Sequence, residues 1–402
     1  MATADPVERS ALAMSPGGAE KVMTELAAVD KSSVQQSGAA NGTAAAEDEE
    51  SGLIANGHVH EPKAASSVDE RKAIEQLSLP LSSANGLTKK PLGAPLATST
   101  PRPRLELSAD QQAKYKTVLA TVSQWTELPD KLVKGSATSP MTDDERMFLT
   151  RECLLRYLRA DKWHVEQATT RLRNTLTWRR EYNVKKLTPE YIGVENETGK
   201  QVITGWDNEG RPCQYLRPSK QNTERSDRQI EHLVFMLERT IDLMPPGQET
   251  LTLLINFAET RAGQGATLAQ GKQVMYILQN HYPERLGRAL VTNVPWYIWT
   301  FFKLITPFID PLTREKIKFN EDSAIHVARE QLLKECGGLL EFDYDHAEYW
   351  PALNKLCVLK RQTYRERWEK AGKRVGEHEG YMKGGEEKSL AETEAAGLSD
   401  DP

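Results

Sequence analysis

Every Phe, Trp and Tyr in this chain lies between Tyr115 and Tyr381. Aromatic side chains carry the largest apolar payload a core can use, so a core must be built from that stretch. The first 100 residues instead repeat Ala, Ser, Gly, Pro and acids, as in SGAANGTAAAEDEESG. Such a segment cannot bury enough apolar surface to offset its chain entropy, and residues 1–105 are expected to be a disordered tail. The acidic end, 377–402, is expected to be a second one. The opening MATADPVERSALAMSPGG has neither the basic start nor the apolar run of a secretory leader, and a cytoplasmic chain is expected.

Charge is distributed as unevenly as the aromatics. The formal net charge is −5, yet the first 100 residues hold 13 acids against 8 bases and the last 26 hold 8 against 2, which leaves the middle at +6. A mildly basic body between acidic ends suits an anionic surface or a phosphate-bearing ligand. Nothing in it calls for a nucleic-acid partner, and a monomer is expected. The four cysteines, Cys153, Cys213, Cys336 and Cys357, show no CxxC or Cys/His spacing, so buried thiols are expected and no metal site.

Along the middle, residues 106–190 read as a helical lobe. Thr142 and Glu145 have capping-box spacing, and Val165, Ala168, Leu172 and Leu176 fall on one helical stripe. From Lys200 the period changes. QVITGWD and RPCQYLR flank the turn Asp207-Asn208-Glu209-Gly210 as two short strands. A helix carrying Ile230, Leu233, Val234, Leu237 and Ile241 follows, and then LTLLINF, 251–257, an apolar run of the kind a strand shows when both sheet faces are covered. Another helix over about 267–280, a strand in RALVTNV and a half-exposed strand in EKIKFN complete an alternating pattern. The class is α/β with a largely parallel sheet. Residues 191–350 form the sheet lobe, and 351–376 read as a charged surface helix.

Catalytic apparatus is hard to find. The turn RAGQGATLAQGKQ sits between a strand and a helix, where a nucleotide phosphate would bind. Five residues separate Gly265 from Gly271, and Gln273 follows Lys272, so the phosphate-loop pattern fails. A nucleotide-dependent enzyme is therefore the weakest alternative. No GxSxG elbow occurs, and His281 and His346 lie among aromatics that suggest packing. We expect no catalytic residue, no cofactor and no enzymatic activity.

The stretch NVPWYIWTFFKLITPFIDP, 293–311, holds six of the chain's 28 aromatic residues. Pro295, Thr300, Lys303, Thr306 and Pro307 interrupt it too often for a bilayer span. On a helix, Tyr297, Ile298, Phe301, Phe302, Leu304 and Ile305 gather on one broad face. Trp296 and Trp299 fall on the side of Lys303, and indole rings favour the headgroup boundary of a bilayer. The greasy face is expected to line a cavity while the other meets a membrane. On either side of this helix stand Glu284, in HYPERLG, and Thr313 and Lys316, in DPLTREKIKF, with Lys162 of RADKW approaching from the helical lobe. A carboxylate accepts from sugar-like hydroxyls and an ammonium neutralises phosphate, so this set suits a polyol phosphate.

LLRYLRADKW, DNEGRP, HYPERLG and PFIDPLTREKIKF, in this order, closely resemble the CRAL-TRIO domain of fungal phosphatidylinositol transfer proteins over about 110–350. The resemblance implies a helical lobe and a mixed sheet, with helices enclosing one phospholipid in an apolar cavity. It implies that the 296–305 helix, with Trp296, Tyr297, Trp299, Phe301 and Phe302, is a gate that swings outward on membranes. Position by position, it makes Glu284 the inositol-contacting carboxylate, Lys316 the inositol-phosphate lysine, Thr313 a headgroup hydroxyl and Lys162 a basic contributor, while Asp161 stands where the founding member has arginine. Leu251 and Leu253, which with Ile255 would form the cavity wall, replace hydroxyl residues that hold a choline headgroup there. The sequence is similar to the azole-resistance branch, which implies phosphatidylinositol with a second hydrophobic ligand, sterol being the candidate. A carrier touching anionic membranes peripherally, at the endoplasmic reticulum, cell periphery or lipid droplets, is expected; the alternative is a lipid sensor presenting its ligand to a phosphoinositide kinase.

Overall fold

The computed structural model describes residues 87–396, apart from Leu105, Ala262 and Gly263. The expected disorder of 1–86 therefore lies outside the described residues. The helical lobe comprises α1 (Ala109–Ser123), a small hairpin of β1 (Glu127–Pro129) and β2 (Thr138–Pro140), α2 (Asp143–Phe148), α3 (Arg151–Ala160) and α4 (Val165–Glu181). Its helix starts are set by side chains that satisfy orphan amides. Ser108 with Gln111 and Thr142 with Glu145 form complete capping boxes, and the Thr150 hydroxyl accepts from the Cys153 amide. Ala168, Leu172 and Leu176 of α4 close against Leu154 and Leu158 of α3 and Val118 and Val122 of α1, all fully buried. Val165, expected on the same stripe, is only half-buried at its end.

After the short α5 (Pro189–Ile192) the sheet begins with β3 (Gln201–Trp206) and β4 (Pro212–Leu216). These form the expected antiparallel pair, and Gly210 supplies the positive φ of the turn between them. The remaining elements are α6 (Asp227–Asp242), β5 (Leu251–Asn256), α7 (Leu268–His281), β6 (Leu286–Thr292), α8 (Trp296–Ile305), α9 (Pro311–Glu315) and β7 (Ile317–Phe319). The sheet order is β3-β4-β5-β6-β7, parallel from β4 onward. Successive right-handed crossovers that all step the same way must lay their helices on one face. The register agrees. Gln214 and Leu253 are partners and so share a face, and Gln214 accepts from the Thr240 hydroxyl of α6. On the opposite face Tyr215 receives the Leu333 amide, so the chain after β7 covers that side.

Both chain ends depart from expectation. Residues 87–104 are not a free tail: Thr88 forms a parallel bridge with Phe342, Leu92 is buried in the main core with its amide on the Thr204 hydroxyl, and Arg104 pairs with Glu152 at 3.0 Å. The expected surface helix is the last part of α10 (His346–Lys370), 25 residues long, which buries Tyr349, Leu353, Leu356 and Trp368. Beyond it, α11 (Glu379–Met382) and α12 (Leu390–Ala395) occupy part of the expected acidic tail. Glu379 is buried there, bonded to Arg156 at 2.7 Å and to the Thr150 hydroxyl at 2.9 Å. Acids that a composition count assigns to solvent are here the counter-ions of a buried arginine.

Candidate functional site

The helix-bearing face of the sheet is greasy at its β5–β7 end. Strict alternation puts Leu251, Leu253 and Ile255 on that face, and their register partners place Ala289, Val291, Ile317 and Phe319 beside them. Leu251 is sealed in the main core, but Leu253, Ile255, Ile317 and Phe319 are only half-buried. Val274, Tyr276 and Leu278 of α7, packed against the main core, are also half-buried. A central parallel strand normally buries both its faces; Leu253 and Ile255 of β5 keep accessible apolar surface on this face, whereas Ala289 and Val291 of β6 are buried on it and β7 is the sheet's edge.

Helix α8 closes over this floor. The Phe302 ring meets Phe319 at 5.2 Å and Phe257 at 6.4 Å, both edge-on, and Trp299 lies 4.5 Å from Phe319. Phe301 packs on α7, where a Cβ at Gly271 would come within 2.8 Å of its ring. The glycine that imitates a phosphate loop in sequence is thus where α8 packs on α7. The start of α8 and the turn after it are held by the Tyr297 hydroxyl on the Thr260 carbonyl, 2.6 Å, and by the Gln279 amide on the Phe308 carbonyl, 2.6 Å. One expectation fails: Leu304 is not on the inward face but 54% exposed. With Trp296 and Trp299 it forms an exposed apolar ridge on the helix that carries the exposed Lys303; Phe308 and Leu312 after the helix are exposed too, Phe308 with Lys272 over its ring at 4.9 Å. The helix turns about 100° per residue, and the contacts of Ile298, Phe301, Phe302 and Ile305 fix a narrower inward stripe than the sequence suggested.

The expected polar residues fall into two groups. Glu284 follows α7 and Pro283, and its backbone is left-handed, φ 58°. Such a conformation costs a non-glycine residue about 1 kcal/mol or more and tends to persist where the surroundings hold it. Its carboxylate accepts from Arg159 Nε at 2.9 Å, an ion pair between the sheet lobe and α3. Arg159 NH2 also reaches Glu249 at 3.2 Å, and Glu249 accepts from Arg156 at 2.7 Å. Burial alone would raise the Glu249 pKa, but Arg156 and Arg159 outweigh it and hold the carboxyl below its usual range. Lys162, left-handed at φ 51°, follows Asp161, the C-cap of α3; it is exposed and makes no ion pair among the described residues. Its neighbour Asp161 is engaged by Arg171 at 2.9 Å.

Thr313 and Lys316 form the second group. They were expected at the start of a strand, but Thr313 lies within α9, where Asp310 caps its amide, and Lys316 is the C-cap. The Lys316 carbonyl accepts from Ala289, so this turn is pinned to the middle of β6, the strand that begins two residues after Glu284. No hydrogen bond or ion pair joins Glu284 to Thr313, Lys316 or Lys162 among the described residues. Sequence reasoning missed Arg159, Glu249 and Arg156. Charge spacing on α3 could have suggested that Arg156 and Arg159 share a face, but Glu249 is about 90 residues away and left no local signal.

With this geometry, the comparisons decide the family. The CRAL/TRIO domain matches residues 196–338, and the CRAL/TRIO N-terminal domain matches 114–174. The phosphatidylinositol transfer protein PDR17 of Saccharomyces cerevisiae is 38% identical over 301 residues, 70% of this chain and 86% of that one. The chain belongs to the CRAL-TRIO family of fungal phosphatidylinositol transfer proteins. A CRAL-TRIO domain-containing protein of Schizosaccharomyces pombe is 51% identical over 281 residues, and there the aligned part spans 70% of this chain but only 28% of the relative. The SEC14 cytosolic factor of Candida glabrata is 26% identical over 214 residues, 47% of this chain and 71% of its own. The crystal structure of Sfh5 aligns with 55% of this chain at 16% identity and a TM-score of 0.39, too loose a superposition to carry a residue-level argument. The CRAL-TRIO matches agree with the helical lobe and mixed sheet described above. Among the described residues, no helix is long and apolar enough to cross a membrane.

Proposed function

We propose that this CRAL-TRIO protein extracts one phosphatidylinositol molecule from a membrane, carries it beneath the α8 flap, and exchanges it for a second hydrophobic lipid, sterol being our candidate. The observation that carries this reading is the aromatic flap lying over a half-accessible apolar floor, with polar groups at the floor's edge. Two acyl chains make spontaneous desorption slow, because each methylene taken from water is worth about 0.8 kcal/mol. An interior of Leu253, Ile255, Val274 and Phe302 replaces the bilayer in transit, and no bond is made or broken. The ridge of Trp296, Trp299 and Leu304, on the helix that carries Lys303, would touch the membrane while the Tyr297 and Phe308 hydrogen bonds release.

In this reading Glu284 accepts from inositol hydroxyls, Lys316 and Lys162 neutralise phosphate, and Thr313 donates to the headgroup. The wall position 253, a leucine, offers a choline headgroup no hydrogen bond, which supports an apolar second ligand; Leu251, expected beside it in the wall, is sealed in the core instead. The test is transfer of labelled phosphatidylinositol between vesicles. Glu284→Ala with Lys316→Ala should reduce it at least about tenfold, given one lost charge-assisted bond at each position, while leaving sterol transfer and the thermal midpoint near wild type. Undiminished phosphatidylinositol transfer by the double variant would refute the assignment.

A further inference from the structure

Glu284 already has a partner, and that partner has unused donors. A guanidinium carries five N–H groups in a rigid fork. Arg159 gives its Nε to Glu284 at 2.9 Å and one NH2 hydrogen to Glu249 at 3.2 Å, and its NH1 makes no hydrogen bond or ion pair among the described residues. About a third of its side chain is exposed. The fork is held from behind, because Glu249 is itself fixed by Arg156, which is 3% exposed and also bonded to Glu379. In the proposed headgroup site Lys316 and Lys162 add positive charge to the same phosphate, but neither ammonium can span two acceptors as the Arg159 fork does.

We propose that Arg159 is a selectivity residue of the headgroup site, holding Glu284 when no hydroxyls are present and taking the lipid phosphate on its remaining N–H groups when they are. This rests on the reading of Glu284 as the inositol-contacting acid. The logic is an exchange of donors. A headgroup that brings hydroxyls can replace the Arg159 bond to Glu284, freeing the guanidinium to turn toward phosphate while Glu249 keeps its far edge in place. A phosphate that arrives without hydroxyls offers no replacement donor, so pulling Arg159 toward it leaves Glu284 unsatisfied at a half-buried site. Discrimination then comes from a penalty against the wrong lipid as well as from contacts to the right one.

The experiment measures uptake of labelled phosphatidylinositol and, separately, labelled phosphatidylcholine from vesicles by the full chain and by Arg159→Ala, Arg159→Lys and Glu284→Ala. Inorganic phosphate and soluble glycerophosphoinositol serve as competitors. We expect Arg159→Ala to lose about tenfold in phosphatidylinositol uptake with phosphatidylcholine uptake unchanged or higher, so that the ratio of the two collapses. Arg159→Lys should recover only part, because an ammonium cannot span two acceptors as a fork does. Glycerophosphoinositol should compete against wild type and not against Arg159→Ala, whereas inorganic phosphate should not compete. The inference is overturned if Arg159→Ala keeps its preference while Glu284→Ala loses it. It is equally overturned if Arg159→Ala loses both lipids together with its thermal midpoint, which is what a purely structural ion pair would do, or if inorganic phosphate competes as well as the inositol ester. Should Glu284→Ala itself take up phosphatidylinositol normally, the underlying site assignment is wrong, a distinguishable failure.

Discussion

The helical lobe and the β5–β7 floor are lined by the same residue types, yet they are packed to different ends. In the lobe, Leu154, Leu158, Leu172 and Leu176 are completely buried in one cluster between two helices. On the floor, Leu253, Ile255, Ile317 and Phe319 occupy equivalent inward positions and stay half-accessible. Core atoms normally pack at crystal-like density; Leu253 and Ile255 of β5 and the edge-strand residues Ile317 and Phe319 fall short of that, while Ala289 and Val291 between them are buried.

The most direct way to break this comparison is to cut the same side chain in both places. Leu158→Ala should cost about 2–5 kcal/mol, the range for a leucine deleted from a closed core. Leu253→Ala should cost well under half of that, because part of its surface is already outside close packing. Denaturant unfolding of the two variants measures the difference. Equal losses would mean that the floor is as tightly filled as the lobe, and the lipid reading would lose its container.

The seam between the two regions gives the next largest effect. His281, at the end of α7, stacks on Trp178 of α4 with ring centroids 4.2 Å apart, and its Nδ1 lies 3.2 Å from the Thr175 hydroxyl. Burial, aided by Arg171 and Arg179, pushes its pKa down to about 3. His232 is likewise pushed to about 3, by burial and by Lys200. Both histidines are neutral in the fold and take up protons on unfolding below about pH 6.5. Their contribution is therefore complete above that pH and is lost as pH falls toward 3, at up to about 1.4 kcal/mol per pH unit for each. Unfolding free energies at several pH values between 7.5 and 5 should fall accordingly, and His281→Asn should flatten the slope by about half of the histidine contribution. A variant slope identical to wild type would show that the seam does not keep this ring neutral.

How much of this was written locally depends on the range of the interaction. Helices with complete caps, such as the one opened by Thr142 and Glu145, and the central strand LTLLINF were legible because their signals span a few residues. So was the inward placement of Phe301 and Phe302, although the exposed side of Leu304 was not, because a ten-residue helix has too few contacts in sequence to fix its rotation. The packed chain ends were illegible for a different reason. Glu379 meets Arg156 across 223 positions, and Leu92 meets Thr204 across 112, so composition alone assigned both segments to solvent. Of the site, Glu284, Thr313, Lys316 and Lys162 could be named from motifs, but the Arg159 and Glu249 that surround Glu284 became visible only once α3 and the β5 entrance were folded together.

The smallest expected effect on stability belongs to the outer face of the flap, and it sharpens the comparison from the opposite side. Trp296 is 79% exposed, with its ring only edge-on to Tyr297 at 5.9 Å, so removing it takes almost nothing from the fold. Trp296→Ala should leave the unfolding free energy within about 0.5 kcal/mol of wild type, as surface substitutions usually do. An indole that enters the headgroup boundary, however, transfers apolar area out of water, and its loss should weaken vesicle binding several-fold and slow lipid exchange by a similar factor. Co-sedimentation with vesicles and the transfer assay read these two quantities independently. If stability and vesicle binding both stay at wild-type values, the ridge is ordinary exposed surface and some other face must open the cavity. If binding falls while stability holds, the large apolar residue that contributes least to folding is the one the membrane uses.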